Sequence, residues 1–323
     1  MSSHSKMNVV RILFLGASKR VSLLERFIAT GQALGIGLDM YSCELDSGFC
    51  PISHLATVLQ GPSFCSEEFQ SWLDDCISQH QINLIIPNMD SATVALSKFD
   101  DSCCRAGIWP VVSSHPICAA MYDKVTAHQF FRENGIPVPL DTADSFPKIV
   151  KPRFGFGSRG VRRADSAAEL RALFDHQNRQ EFLVQDLILD GRETTVDFYS
   201  SRTKGMLGYV LRDRLEVSDG EVMVCKTREP MADERALLSV ITSLAEWVGC
   251  VTVQYMRDGR DGKLYVIEVN PRFGGGATCA IEAGLDMPRY ILCEFLGLDF
   301  ARPQRLRMLI MSRARRDFFY ELE

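Results

Sequence analysis

The chain has 323 residues, 46% hydrophobic and 24% charged, with a formal net charge of −5. That balance is ordinary for a globular protein of two or three compact units. The acidic excess leaves no basic footprint for nucleic acid. No apolar run approaches the roughly 20 residues of a membrane-spanning helix, and no secretory leader is read at the start. A cytoplasmic protein with no membrane partner is therefore expected. The eleven cysteines include no C-x-x-C pair, and Cys103 and Cys104 are poorly placed to bridge each other, so reduced, buried thiols are expected.

In chain order, residues 9–35 read as a buried strand, a glycine turn at Gly16 and an amphipathic helix. A second strand covers 38–46, a helix 69–81, and a short apolar strand 82–90 ends near Asp90. Uniformly apolar strands alternating with helices predict a parallel sheet covered on both faces. Ligands of such sheets sit at the carboxyl ends of the strands. Residues 117–135 read as one helix closed by Gly135, followed by a proline-rich linker. Beyond it come the strand KIVKP, a glycine loop, the strand GVRRA, a capped helix from Asp165, and then EFLVQDLI, GRETTVDFYSS and KGMLGYVLRDRLEV as further strands. The basic run 302–316 reads as a solvated strand or helix. The fold class is thus α/β followed by α+β.

The loop KPRFGFGSRGV carries Gly155, Gly157 and Gly160 in G-x-G-x-x-G spacing. A dinucleotide fingerprint requires a helix immediately after the glycines. Here Val161, Arg162 and Arg163 follow, and helix signals begin only at Asp165 and Ser166. No Lys-Ser or Lys-Thr follows Gly160, so a P-loop is excluded as well. Glycines joining two strands can still form a flap over a polyphosphate, because bare backbone N–H groups approach its oxygens closely. Lys151, on the strand entering the flap, is the matching cation; a solvated surface hairpin is the alternative.

Residues 249–276 read as two strands around the turn RDGRDGK. Glu268, Asn270 and Arg272 recur at i, i+2, i+4 and project from one strand face, with Ile267 and Val269 on the apolar side. A turn centred near Arg260 and Asp261 places Gln254 opposite Glu268, within reach of one shared ion. One carboxylate and two amide oxygens suit Mg²⁺, which keeps substrate phosphates in its shell; an exposed edge hairpin is the alternative. Arg272 adds a cation for phosphoryl transfer. On another strand Arg212 and Arg214 alternate; Arg212 is expected to hold a second carboxylate or the transferred phosphate, with ion pairs to Glu216 or Glu221 as the alternative. The six histidines show no metal spacing.

The strings YDK, IVKPRFGFGSRGV, VQDLILDGRETTVDF and VQYMRDGRDGKLYVIEVNPRFGGG, in this order, resemble the ATP-grasp superfamily, nearest to its carbamoyl-phosphate synthetase large-subunit-like branch. The resemblance implies a doubly wound pre-ATP-grasp domain (1–113), an ATP-grasp N-terminal part (114–188) with a glycine-rich lid (about 146–186), and a C-terminal catalytic subdomain (189–323). It implies Lys124 and Lys151 as phosphate-binding lysines under a lid containing Gly155, Gly157, Ser158 and Gly160. Gln185, Asp186, Leu187 and Ile188 fall on the adenine hinge and Glu193 on the ribose position. Gln254, Glu268 and Asn270 fall on metal positions, and Arg272 on the phosphate-holding arginine. Asp186 stands where a glutamate is usual, and Gln254 where other branches have an acid.

The implied activity is an ATP-dependent carboxylate–amine ligase that forms an acylphosphate and releases ADP. Its cofactors are ATP and Mg²⁺, with Mn²⁺ as an alternative ion, and its partners are a small-molecule carboxylate and amine. Two alternatives stand beside it: a synthetase-like enzyme phosphorylating bicarbonate or a carboxylate, and a non-catalytic ATP-binding regulatory protein. The substrates and the oligomeric state are not legible.

Overall fold

The computed structural model describes residues 9–99, 107–155, 157–218 and 220–321; Cys103 and Cys104 lie outside these. A five-stranded sheet is built from β1 (Val9–Leu15), β2 (Gly37–Glu44), β3 (Thr57–Gln60), β4 (Leu84–Pro87) and β5 (Trp109–Pro110), ordered β3-β2-β1-β4-β5. All its pairings are parallel. Helices α1 (Val21–Leu34), α2 (Phe69–His80) and α3 (Asp90–Ser97) connect the strands. Val10, Ile12 and Phe14 enter one apolar core, while Leu13 and Leu15 enter another. Burial on both faces is why β1 is continuously apolar. The short edge strand β3, with the sequence TVLQ, was not legible because four mixed residues carry no period.

The turn after β1 is tightly fixed. Gly16 has φ +75°, where a side chain would also strike Met89, and its N–H donates to Cys43 O at 3.0 Å. The Ala17 N–H and the Ser42 hydroxyl both donate to Glu44 Oε1, at 2.7 and 2.6 Å. Glu44 is buried, and burial raises its pKa against those hydrogen bonds.

The expected single helix over 117–135 is two: α4 (His115–Tyr122) and α5 (Lys124–Glu133). Asp123 takes an extended backbone, and its carboxylate caps α5 by accepting from Val125 N–H and the Thr126 hydroxyl. Apolar periodicity alone does not reveal such a break, because the capping aspartate reads as one more polar helix position.

A three-stranded antiparallel sheet follows, ordered β7-β6-β8, from β6 (Lys148–Pro152), β7 (Arg162–Ala164) and β8 (Phe182–Asp186). Helix α6 (Ala167–Ala172) is capped by Ser166, which accepts from Glu169 N–H at 3.2 Å. The glycine loop therefore joins β6 to β7, as its flanking residues predict.

The third sheet has six strands: β9 (Arg192–Ser201), β10 (Gly205–Ser218), β11 (Glu221–Arg228), β12 (Gly249–Arg257), β13 (Leu264–Asn270) and β14 (Ile310–Ser312). Their order is β13-β12-β9-β10-β11-β14, antiparallel throughout. Helix α7 (Ala232–Ser243) shares a core with Val196, Val253 and Tyr255; α8 (Ala277–Glu282) and α9 (Met287–Leu296) share the other with Tyr199 and Leu207. The basic run 302–316 is largely exposed, as expected, and carries the short edge strand β14. Ile310–Ser312 pairs with β11, and Arg307, Arg313 and Arg316 bridge to Glu282, Glu221 and Glu25.

Candidate active site

Register places the polar residues of the third sheet on one face. Gln254 pairs with both Glu268 and Thr195, Thr252 with Asn270 and Asp197, and Arg212 with Thr195. Directly opposed residues share a face, so Glu268, Asn270, Gln254, Asp197 and Arg212 project together. The expected Gln254–Glu268 pairing is present. The neighbouring register slips, with Gln254 opposite Glu268 but Tyr255 opposite Val266. Ile267 is thereby an unpaired bulge residue, half-buried, while Val266 and Val269 carry the apolar side. The bulge corrects the simple alternation.

Within this face Gln254 Nε2 donates to Glu193 Oε1 at 2.6 Å, and Asn270 Nδ2 donates to Glu268 Oε1. These bonds orient both amides, leaving Gln254 Oε1, Asn270 Oδ1 and a second Glu268 oxygen without a partner among the described residues. Three oxygen donors on adjacent strands are the set a Mg²⁺ ion takes when phosphates complete its shell. Glu193 also receives Arg214 Nη1 at 2.5 Å.

The lysines approach from the other side. Lys124 opens α5, and its ammonium donates to Gly155 O at 2.8 Å. Lys151, on β6, is half-buried, and its ammonium has no ion pair or hydrogen bond among the described residues. Burial lowers its pKa, Lys124 lowers it further, and Glu268 and Glu193 oppose the shift. From its place on β6, one ammonium thus feels residues of the helix start and of the six-stranded sheet. Asp123 ties these together by accepting Arg153 Nε at 2.7 Å and Nη2 at 2.5 Å. In the flap Gly155, Gly157, Ser158 and Gly160 all have positive φ. A Cβ on Gly220, at the β10–β11 turn, would lie 2.6 Å from Gly157 backbone atoms, so that turn and the flap are in contact.

Three of the expected site residues are already engaged by protein partners. Asp186 faces Lys148, accepting its ammonium at 2.6 Å. Lys148 is 1% exposed and also binds Asp141 at 2.8 Å, so the Asp186 carboxylate is held by a buried cation. Arg212 pairs with neither Glu216 nor Glu221. Its Nε donates to Asp197 Oδ2 at 2.8 Å, and the Thr252 hydroxyl donates to Asp197 Oδ1 at 2.7 Å. Arg272 lies beyond the end of β13, in a bend, and its Nε and Nη2 grip both oxygens of Asp90 at 2.7 Å each. Burial disfavours the Arg272 cation, but Asp90 and Glu268 outweigh it and raise its pKa.

After β8, the N–H groups of Asp186 and Leu187 are held by Leu140 O and Pro147 O at 2.6 and 2.9 Å. Ile188 is buried, and its N–H has no acceptor among the described residues. Gln185 is 3% exposed, with Nε2 donating to Pro139 O at 3.4 Å and Oε1 unpartnered. Gln185 Oε1 and the Ile188 N–H are thus an acceptor and a donor left for a ligand to satisfy. Among the described residues no helix is long and apolar enough to cross a membrane.

Residues 121–276 match the ATP-grasp domain family. Pyruvate carboxylase 1 of Caenorhabditis elegans is 27% identical over 239 residues, 65% of this chain and 20% of that protein. The carbamoyl phosphate synthase large chain of Gemmatimonas aurantiaca is 27% identical over 221 residues, 61% of this chain and 20% of that protein. The chain thus spans about a fifth of the length of these two relatives. Among solved structures, N5-carboxyaminoimidazole synthetase from Staphylococcus aureus complexed with ADP superposes with a TM-score of 0.74 at 15% identity, covering 94% of this chain and 82% of that one. The biotin carboxylase domain of Hydrogenobacter thermophilus 2-oxoglutarate carboxylase, in complex with MgADP, ADP and bicarbonate, gives 0.72 at 16% identity, covering 92% and 72%. The chain has a mixed α/β ATP-grasp fold, and residues 121–276 are an ATP-grasp domain homologous to those of carbamoyl phosphate synthase large chains.

Proposed function

We propose that the chain is an ATP-dependent ligase that activates a carboxylate as an acylphosphate, releasing ADP, and couples it to an amine or similar nucleophile. The observation that carries this reading is the meeting of two sets of side chains. Lys124 and Lys151 come from the helix start and the lid strand; Gln254, Glu268 and Asn270 come from the sheet face, and Lys151 interacts electrostatically with Glu268 across the gap. In this reading Gln254, Glu268 and Asn270 hold Mg²⁺, which neutralises and orients the ATP phosphates when bound. Lys124 and Lys151 hold the phosphates beneath the flap Gly155–Gly160. Gln185 and Ile188 meet adenine, while Asp186 positions the hinge through Lys148 instead of touching the base. Glu193, bridging Gln254 and Arg214, meets the ribose. Phosphoryl transfer requires positioning and charge neutralisation more than an acid or base, and these residue types supply both. Flap closure excludes water from the acylphosphate.

Residues 1–113 then serve as the pre-ATP-grasp unit, 114–188 as the ATP-grasp N-terminal part with its lid at about 146–186, and 189–323 as the catalytic subdomain. Arg272 joins the first unit to the third through Asp90 and lends its charge to the phosphate region near Glu268. Arg212, held by Asp197, supports the floor of the site.

The test is ADP release from Mg-ATP against pools of small carboxylates and amines, bicarbonate included. Glu268→Ala is expected to lower the rate by roughly 10²–10³-fold, the usual cost of removing one electrostatic anchor from a site of this kind. An unchanged rate in that variant would sink the metal assignment.

A further inference from the structure

Four guanidinium groups gather around the segment Gly274–Gly276, and their anionic partners do not balance them. Arg272 is matched by Asp90, and Arg212, whose Nη1 lies where a Cβ on Gly276 would fall, by Asp197. Among the described residues the one carboxylate Arg313 meets is the exposed Glu221, at 3.4 Å, and its Nη2 donates to Gly275 O at 2.5 Å. Arg20 has no carboxylate within ion-pair distance among the described residues. Its one hydrogen bond there runs from Nη1 to Gly274 O at 3.2 Å. A guanidinium has five N–H donors, so most of those on Arg20 remain available. Burial lowers the Arg20 pKa to about 10, with Arg272 and Arg313 adding to the effect and Glu221 and Asp90 opposing it.

The placement is rigid. Arg20 ends the turn pinned by Gly16, Ala17 and Glu44, and its own N–H donates to Ala17 O at 2.7 Å. The N–H of Arg313 donates to Met223 O at 2.8 Å, docking it beside β11. Arg20 stands at the carboxyl end of β1, where open parallel sheets receive ligands. Gly275 leaves room there, since a Cβ added to it would still be 3.7 Å from Arg20 Nη1. A fixed, partly desolvated cation beside like charges is costly unless an anion completes it, and the planar fork of arginine fits carboxylate or phosphate oxygens in pairs.

We propose that Arg20 and Arg313 form the oxyanion pocket that selects the ligase's organic substrate. They would bind a carboxylate or phosphate-ester group distinct from the ATP phosphates. This rests on the ligase reading above and adds to it the two residues that hold an anionic group of the organic substrate.

The probes are inorganic phosphate and succinate, titrated by thermal shift and calorimetry into the full chain with a non-hydrolysable Mg-ATP analogue filling the nucleotide positions. At least one anion is expected to bind wild type. Arg20→Gln and Arg313→Gln should each weaken it by about tenfold or more while keeping the shift caused by the nucleotide analogue, which shows that the variants fold. A response to phosphate alone identifies a phosphorylated substrate, and a response to succinate alone a carboxylated one. Failure of both anions to bind wild type, or equal binding in both variants, overturns the pocket. Wild type that binds the anion but not the nucleotide overturns the ligase reading, and with it the anion's assignment as a substrate group.

Discussion

Lys151→Met is expected to reduce Mg-ATP-dependent ADP release by roughly 10²–10³-fold, while the free protein melts no lower than wild type. The two effects have one cause. Lys151 is half-buried without a paired anion among the described residues, and its pKa is lowered by burial and by Lys124 against the pull of Glu268 and Glu193. The folded protein therefore binds that proton less tightly than the unfolded chain does. Its contribution to stability is unfavourable below the lowered pKa and is relieved as pH rises towards the ordinary lysine value near 10.4. Methionine keeps the length of the stem and removes the charge, so the penalty and its pH dependence disappear. The polyphosphate loses its cation at the same time. Melting curves across alkaline pH, paired with turnover assays, check both halves. A variant that keeps wild-type turnover would show that Lys151 does not touch the nucleotide.

Asp197→Ala is expected to have the largest effect on stability, about 3–5 kcal/mol. Asp197 and Arg212 are 1% and 3% exposed in their side chains. Removing the carboxylate leaves the buried guanidinium uncompensated and takes the acceptor from the Thr252 hydroxyl. Replacing both partners, as in Asp197→Ala with Arg212→Met, should recover much of that loss, because no buried charge is then stranded. Urea unfolding of the single and double variants measures the difference. A single-variant loss below about 1 kcal/mol would contradict the buried pair.

The parts of the molecule visible in the sequence were those set by local period or local turn chemistry. The continuous apolar character of β1 and β4 gave the parallel sheet, and the strand that follows the flap glycines, where a helix would be required, ruled out a dinucleotide fingerprint. The short turn between β12 and β13 brought Gln254 opposite Glu268. What was hidden depends on distant partners. Asp90 and Arg272 are 182 positions apart, and nothing in either segment announces that the arginine is already gripped. Lys148 and Asp186 face each other across neighbouring strands β6 and β8, yet the hinge aspartate read as a ligand group. Arg20 lies in a turn already marked as a ligand position by its place after β1, but its lack of an acidic partner is visible only when Gly274 and Arg313 are set beside it. Asp123 broke a helix because its carboxylate had both α5 and Arg153 to serve, and only the first of these is a local signal.

The proposed ligase cleaves ATP to ADP through an acylphosphate. The most direct measurement offers the protein Mg-ATP, candidate carboxylates and hydroxylamine as the trapping nucleophile, and follows nucleotide and hydroxamate together. One carboxylate is expected to give hydroxamate and ADP in equal amounts, with both falling by roughly 10²–10³-fold in Glu268→Ala. Hydroxamate accompanied by AMP and pyrophosphate would contradict it, because the carboxylate would then have been activated by adenylation and not by transfer of the terminal phosphate.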